Sequence, residues 1–144
     1  MTRLLDARTS QNASYFGDNP QSISNETILI GQIGLSTLGY EGIIRVQLSG
    51  TCSFLDLSNV GKRLTLFVVR GTEPTDPLVA SNALEISIPI TTNVYQFSII
   101  ASDYDPVPAD ELVYSLFVRG EVFGQIAIIQ ARGLQSFNGA AYSD

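Results

Sequence analysis

Residues 42–54 read Gly-Ile-Ile-Arg-Val-Gln-Leu-Ser-Gly-Thr-Cys-Ser-Phe and carry the clearest structural pattern in the chain. From Ile44 to Phe54, apolar or small residues alternate with Arg, Gln, Ser and Thr. This period of two is typical of a β-strand with one face in a core and the other in water. The pattern places Cys52 in the core. We expect an inert thiol there, because a buried cysteine without a nearby positive charge behaves as a small hydrophobic residue.

Further apolar runs lie on both sides of this strand and are separated by segments rich in Gly, Pro, Asn and Asp. They predict strands near residues 27–35, 42–54, 63–70, 84–90, 94–101, 112–118 and 125–130. No long amphipathic helix is available to connect parallel strands. The expected fold is therefore all-β, an antiparallel sandwich or barrel without a helix longer than about two turns.

The N-terminal segment differs from the rest of the chain. Residues 1–26 are rich in Ser, Asn, Gln and Asp and lack a sustained period, which predicts an extended arm ahead of a single domain at residues 27–144. Two apolar pairs interrupt this arm, Leu4-Leu5 and Tyr15-Phe16. These pairs either pack on their own domain or dock on a neighbouring subunit, unless the arm is disordered. We take Leu4, Leu5, Tyr15 and Phe16 as candidate assembly contacts.

The composition excludes several classes of function. The chain has 144 residues, with eight Lys and Arg, fourteen Asp and Glu, one cysteine and no histidine. Catalysis and metal or haem binding through histidine are therefore excluded, and no internal disulfide can form. The net charge of −6 argues against binding to nucleic acid. No apolar run reaches the length of roughly 18 residues that spans a membrane. We expect no enzymatic activity, no cofactor and no metal.

The charged fraction is low. Only 15% of the residues are charged, against about 25% in an average soluble domain. Either the surface is polar but uncharged, as in extracellular β-domains, or much of it is buried between subunits. In addition, residues 64–69 and 112–118 are apolar on both strand faces. A loop, the arm or another subunit must cover the second face.

One loop concentrates acidic residues. Asp103, Asp105, Asp110 and Glu111 lie close together in the sequence, with two prolines between them. Carboxylate oxygens on a loop suit calcium, but the spacing lacks the order of an EF-hand loop. A solvated turn is the simpler interpretation, and a cation site at Asp103, Asp105 and Asp110 stays open.

Three segments resemble strands and turns of C1q/TNF-like jelly-roll domains: residues 40–50 (YEGIIRVQLSG), 64–72 (LTLFVVRGT) and 108–116 (PADELVYSL). Among such domains, the chain is similar to small proteins of bacterial spore surfaces, which form exosporium layers or endospore appendages and lack export signals. The resemblance implies an antiparallel two-sheet jelly-roll sandwich, assembly into trimers or fibres, and no catalysis.

These observations favour a non-enzymatic structural subunit that assembles with copies of itself into a fibre or surface layer, its arm pairing with a neighbour's sheet edge. Two alternatives are a carbohydrate- or receptor-binding β-sandwich module and a viral capsid or decoration protein. Residues 1–8 contain no continuous apolar signal segment. We therefore expect a position on a cell or spore surface that is reached without a cleavable N-terminal signal.

Overall fold

A computed structural model describes residues 1–13, 21–23, 27–56, 62–86, 93–122 and 129–144. Within these ranges the regular secondary structure consists of β-strands, with no helix, which confirms the all-β class. The strands are β1 (Arg3–Ala13), β2 (Gln21–Ile23), β3 (Thr27–Ser36), β4 (Ile44–Asp56), β5 (Lys62–Arg70), β6 (Leu78–Ile86), β7 (Asn93–Tyr104), β8 (Glu111–Val122) and β9 (Ile129–Ser143). In the described part of the chain, no helix has the length and hydrophobicity needed to cross a membrane.

Two sheets make up the sandwich. The larger sheet has the order β1-β9-β4-β7, and the short strand β2 also pairs with β9. The smaller sheet has the order β3-β8-β5-β6. The strand pairs are antiparallel, and the chain alternates between the sheets from β3 to β4, β4 to β5, β6 to β7, β7 to β8 and β8 to β9. This arrangement is the jelly roll that the sequence predicts.

The core lies between the sheets, and β4 contributes to it as the alternation predicts. Ile44, Val46, Leu48, Cys52 and Phe54 are buried, while the residues between them face outward. The remaining inward position is Gly50, where a Cβ atom would overlap the side chain of Leu116 from the opposite sheet. A larger residue would force the Leu116 side chain to shift, so the close approach of the two sheets favours glycine at this position.

Two strands differ most from their predicted bounds. β6 begins at Leu78 rather than near residue 84, and β9 continues to Ser143 rather than ending near residue 130. The sequence hides β9 because its inward positions include Gly139 and Ala141 instead of large apolar residues. A Cβ at Gly139 would overlap Ile33, so a small residue is needed at this close approach. Residues 125–128, at the start of the predicted last strand, lie outside the described residues.

The N-terminal segment requires a correction. Residues 3–13 do not extend away from the domain but form β1, an edge strand that pairs with β9 of the same chain. Leu5 packs against the core, whereas Leu4 is 56% exposed. The period of two is hidden because the register shifts between Leu4 and Asp6 and again between Gln11 and Ala13. The other candidate contacts, Tyr15 and Phe16, lie outside the described residues.

The strands that are apolar on both faces find cover within the chain. On the outer side of the smaller sheet, Phe67, Val69 and Phe117 form a second buried cluster. The rings of Phe67 and Phe117 stack with centroids 5.5 Å apart, and the Arg119 guanidinium lies 5.9 Å from the Phe67 centroid. Beside Val69, the loop at 71–77 is bonded to β8, since the Gly71 N–H donates to the Val113 carbonyl. These apolar side chains therefore do not require a second subunit.

Candidate assembly surfaces

The outer side of the larger sheet is the first candidate surface, and we call it the open face. It is built from the outward positions of four strands in register, so its side chains form rows across the sheet. Its members are Leu4, Ala7, Thr9 and Gln11 of β1; Ser136, Asn138, Ala140 and Tyr142 of β9; Arg45, Gln47, Ser49, Thr51 and Ser53 of β4; and Gln96, Ser98, Ile100, Ser102 and Tyr104 of β7.

The open face is almost free of charge. Arg45 is the one charged residue among these members, and it is neutralised by Asp144 at an Nη2–Oδ1 distance of 2.9 Å. The Asp144 carboxylate also accepts a hydrogen bond from the Thr2 hydroxyl. These two donors lower the pKa of Asp144, so the carboxylate stays ionised and the pair stays neutral overall at ordinary pH. A solvent-facing sheet ordinarily carries Lys and Glu, which discourage association.

A shallow groove of about 550 Å³ crosses the centre of the open face. Two rows line it. Ala7, Ala140, Gln47 and Ser102 lie opposite one another in the first row, and Thr9, Asn138, Ser49 and Ile100 in the second. Ile100 is 86% exposed, although it lies in the middle of β7. Ile100 thus presents a large aliphatic side chain on a surface that carries few charges, and depletion of charged residues is a feature of interface cores.

The second candidate surface lies at one end of the sandwich, and we call it the end patch. Its members are Leu38, Tyr40 and Ile43 from the loop after β3 and Val107 from the loop after β7, all exposed. Backbone bonds hold the two loops in place: the Thr37 N–H donates to the Asp110 carbonyl, and the Asp105 N–H donates to the Ile44 carbonyl. The apolar side chains are thus presented on fixed loops.

The acidic loop does not assemble into one site. Asp103 belongs to β7. Its carboxylate accepts two hydrogen bonds from the Arg70 guanidinium, both with N···O distances of 2.7 Å, and one from the Tyr114 hydroxyl at 2.7 Å. Asp105 and Asp110 are exposed, and their backbone groups bond to other segments. Among the described residues, no three His, Cys, Asp or Glu side chains are placed to hold a metal ion.

The Asp103 contacts join the two sheets. Asp103 lies in the larger sheet, and Arg70 and Tyr114 lie in the smaller one. Hydrogen bonding to Asp103 raises the pKa of Arg70, while burial and the Asp103 carboxylate raise the pKa of Tyr114. Arg70 therefore stays charged and Tyr114 stays protonated at neutral pH. We call these three residues the inter-sheet clasp; its role is structural.

Cys52 is confirmed as a core residue with 0% exposure. Burial raises the pKa of its thiol to about 12. The thiolate, which is the reactive form, is therefore scarce at neutral pH and also inaccessible. Cys52 contributes packing and no chemistry.

The predicted contact residues lie only partly on the candidate surfaces. Leu4 is on the open face, opposite Tyr142, but Leu5 points into the domain. The residues that the sequence did not single out are Ile100, Ala7 and Ala140. The polar outward positions of β4 and the low charged fraction were the available signals. These signals could not predict the whole open face, because the neighbouring strands β1 and β9 were not predicted in full.

Comparisons with known proteins give distant likenesses. No protein-family model matches the sequence, and no curated protein matches it. Dimeric latent PorU from Porphyromonas gingivalis matches with a TM-score of 0.49 and 11% identity, over 96% of this chain and 13% of that one. The infectious bursal disease virus particle matches with a TM-score of 0.48 and 15% identity, over 99% and 35%.

A third solved structure is similar in size to this chain. Eiger TNF from S. frugiperda matches with a TM-score of 0.45 and 13% identity, over 96% of this chain and 92% of that one. The chain thus spans well under half of the PorU and capsid chains that it matches, but most of the TNF chain. The assignment to the jelly-roll class rests on the strand order of the chain itself.

Proposed function

We propose that the protein is a non-enzymatic structural subunit that assembles with copies of itself, as part of a fibre or layer at a cell or spore surface. The observation that carries the proposal is the open face, a four-stranded surface with one charged side chain that is already neutralised. The sequence resemblance to spore-surface jelly rolls supports the finer role in a fibre or layer.

Charge explains why the partner is a second copy. Each chain carries a net charge of −6, so two copies repel each other over most approaches. The open face is the broad described surface where two copies meet without opposing carboxylates. Depletion of charged residues is also typical of the core of protein interfaces.

The size of the open face is sufficient for most of an interface. Four strands about 4.8 Å apart and nine residues at about 3.3 Å each give a projected area of roughly 570 Å². A standard interface buries about 800 Å² of accessible surface per partner. The accessible surface of the open face is larger than its projected area, because the side chains protrude from the sheet. Contacts at the rim of the face supply the remainder.

A fibre or layer needs a second contact, because an interface between two identical faces closes as a dimer. The end patch fits this need, since it carries exposed apolar residues on fixed loops away from the centre of the open face. Two independent contacts per subunit allow open assembly.

Ser49→Glu tests the role of the open face. Ser49 is exposed at the centre of the face. We expect the variant to associate at least tenfold more weakly than the parent chain, because each copy would bury a carboxylate at the contact. Light scattering coupled to size-exclusion chromatography measures the change.

Ser81→Glu is the matched control, since Ser81 is exposed on the outer side of the smaller sheet, opposite Phe67. It should associate like the parent chain. The proposal is overturned if the parent chain is monomeric at concentrations of about 100 µM, a range that would detect contacts of micromolar affinity.

Val107→Asp tests the end patch. Val107 is 76% exposed, so the substitution should not disturb folding. We expect particles larger than dimers to be lost while dimers remain, as measured by negative-stain microscopy and light scattering. If large particles persist unchanged in Val107→Asp, the end patch is not the second contact.

A further inference from the structure

We infer that two copies pack open face to open face about a two-fold axis parallel to the strands, with Ile100 of each copy over Thr9 of the other. The inference rests on the proposed self-association and specifies which residues meet. Its basis is the unequal distribution of side chains across the face. The largest exposed apolar residue of the groove is on β7, at one edge, and the two alanines are on β1 and β9, toward the other edge.

The register decides what such an axis brings together. Thr9, Asn138, Ser49 and Ile100 lie opposite one another across β1, β9, β4 and β7. A two-fold rotation about an axis parallel to the strands keeps the position along the strands and exchanges β7 with β1 and β4 with β9. The row then faces itself in reverse, so Ile100 meets Thr9 and Ser49 meets Asn138. Each contact occurs twice, as an isologous interface requires.

Packing favours this arrangement over the other two-fold. Ala7 and Ala140 lie side by side next to Thr9 and leave room for the Ile100 side chain of the partner. An axis perpendicular to the strands would place β7 on β7 and β1 on β1. The two Ile100 side chains would then meet while the regions above the alanines stayed empty. Voids of this kind lose contacts on both sides, and protein interfaces avoid them.

Paired charge substitutions distinguish the two arrangements. Within one chain, positions 9 and 100 are three strand spacings apart, about 14 Å, so introduced charges cannot pair internally. Ile100→Glu should raise the dissociation constant on the order of a hundredfold or more. Adding Thr9→Lys in the same chain should bring it back to within about tenfold of the parent value, since each carboxylate would meet an ammonium group of the partner.

The control combines Ile100→Glu with Ser81→Lys, which has the same net charge but places the lysine on the other sheet. It should show no recovery. If Ile100→Glu with Thr9→Lys fails to recover while the parent chain still associates, the arrangement is wrong and the proposed function stands. If the parent chain itself does not associate, both are wrong. Analytical ultracentrifugation of all four chains gives the dissociation constants.

Discussion

Asp103→Ala should lower the free energy of unfolding by about 3 kcal/mol, the loss expected when one partner of a buried ion pair is removed. The Asp103 side chain is 9% exposed and accepts hydrogen bonds from Arg70 and Tyr114. Without it, the Tyr114 hydroxyl is buried without its acceptor, and the Arg70 charge loses its counter-ion. Since 32% of the Arg70 side chain is exposed, water screens part of this charge, and we place the loss at the lower end of the usual range.

Glu85→Ala is the matched control for the inter-sheet clasp. It also removes a carboxylate from an arginine, Arg63, but both side chains of that pair are largely exposed. Exposed pairs contribute about 0–1 kcal/mol, so this variant should be nearly as stable as the parent chain. Urea denaturation followed by circular dichroism gives both values. Equal losses in the two variants would show that the clasp does not join the sheets energetically.

Much of the fold can be predicted from local pattern. The alternation along β4 predicts its buried face residue by residue, because one face is fully covered by the opposite sheet and the other is not. Among the described residues, the breaks at 71–77 and 105–110, which are rich in Gly, Pro and Asp, separate strands as predicted. The resemblance to C1q/TNF-like domains adds the two-sheet jelly roll, which the strand order confirms.

The strands β1 and β9, at one side of the larger sheet, are difficult to predict from the sequence for two physical reasons. In β1, two register shifts break the period, and the solvent-facing edge needs few apolar residues. In β9, close contact between the sheets selects small inward residues such as Gly139, which look polar or neutral in a sequence. Both strands contribute rows to the open face, so that face could not be predicted without the register.

Asp103 shows the same limit for long-range pairs. Its position beside Asp105 in the sequence suggests a shared acidic loop. Its actual partners, Arg70 and Tyr114, come from two strands of the other sheet. The alternation along β7 puts Asp103 on the inward side, but only the way the sheets stack brings it to these partners, whereas Asp105 is exposed.

Alkaline pH should destabilise the domain strongly. Burial raises the pKa of the Cys52 thiol from 9.0 to about 12. When the pKa of a thiol is higher in the folded state, its contribution to the free energy of unfolding is fully present below the pKa of the unfolded chain, near 9. This contribution falls as the pH rises above that value. Between these values the unfolded chain has lost the proton and the folded chain has kept it. Stability therefore declines by about 1.4 kcal/mol per pH unit from this group.

Tyr114 acts in the same direction at a slightly higher pH. Its pKa is also raised, by burial and by the Asp103 carboxylate, above the ordinary value of 10.0. From about pH 10 upward its contribution declines in parallel with that of Cys52. By pH 12 the stability lost through Cys52 alone amounts to about 4 kcal/mol, a large part of the 5–15 kcal/mol that stabilises a typical domain.

Cys52→Ala separates the two groups. The variant should be less stable than the parent chain at pH 7, because it leaves a small cavity in the core. Its stability should nevertheless stay flat from pH 9 to 10, where the parent chain loses about 1 kcal/mol, and should decline only above pH 10, where Tyr114 titrates in the unfolded chain. Urea midpoints measured at half-unit steps of pH resolve the two slopes. If the two chains instead lose stability in parallel between pH 9 and 10, the Cys52 thiol titrates alike in the folded and unfolded states. That result would contradict its complete burial in the core and would show that the prediction is wrong.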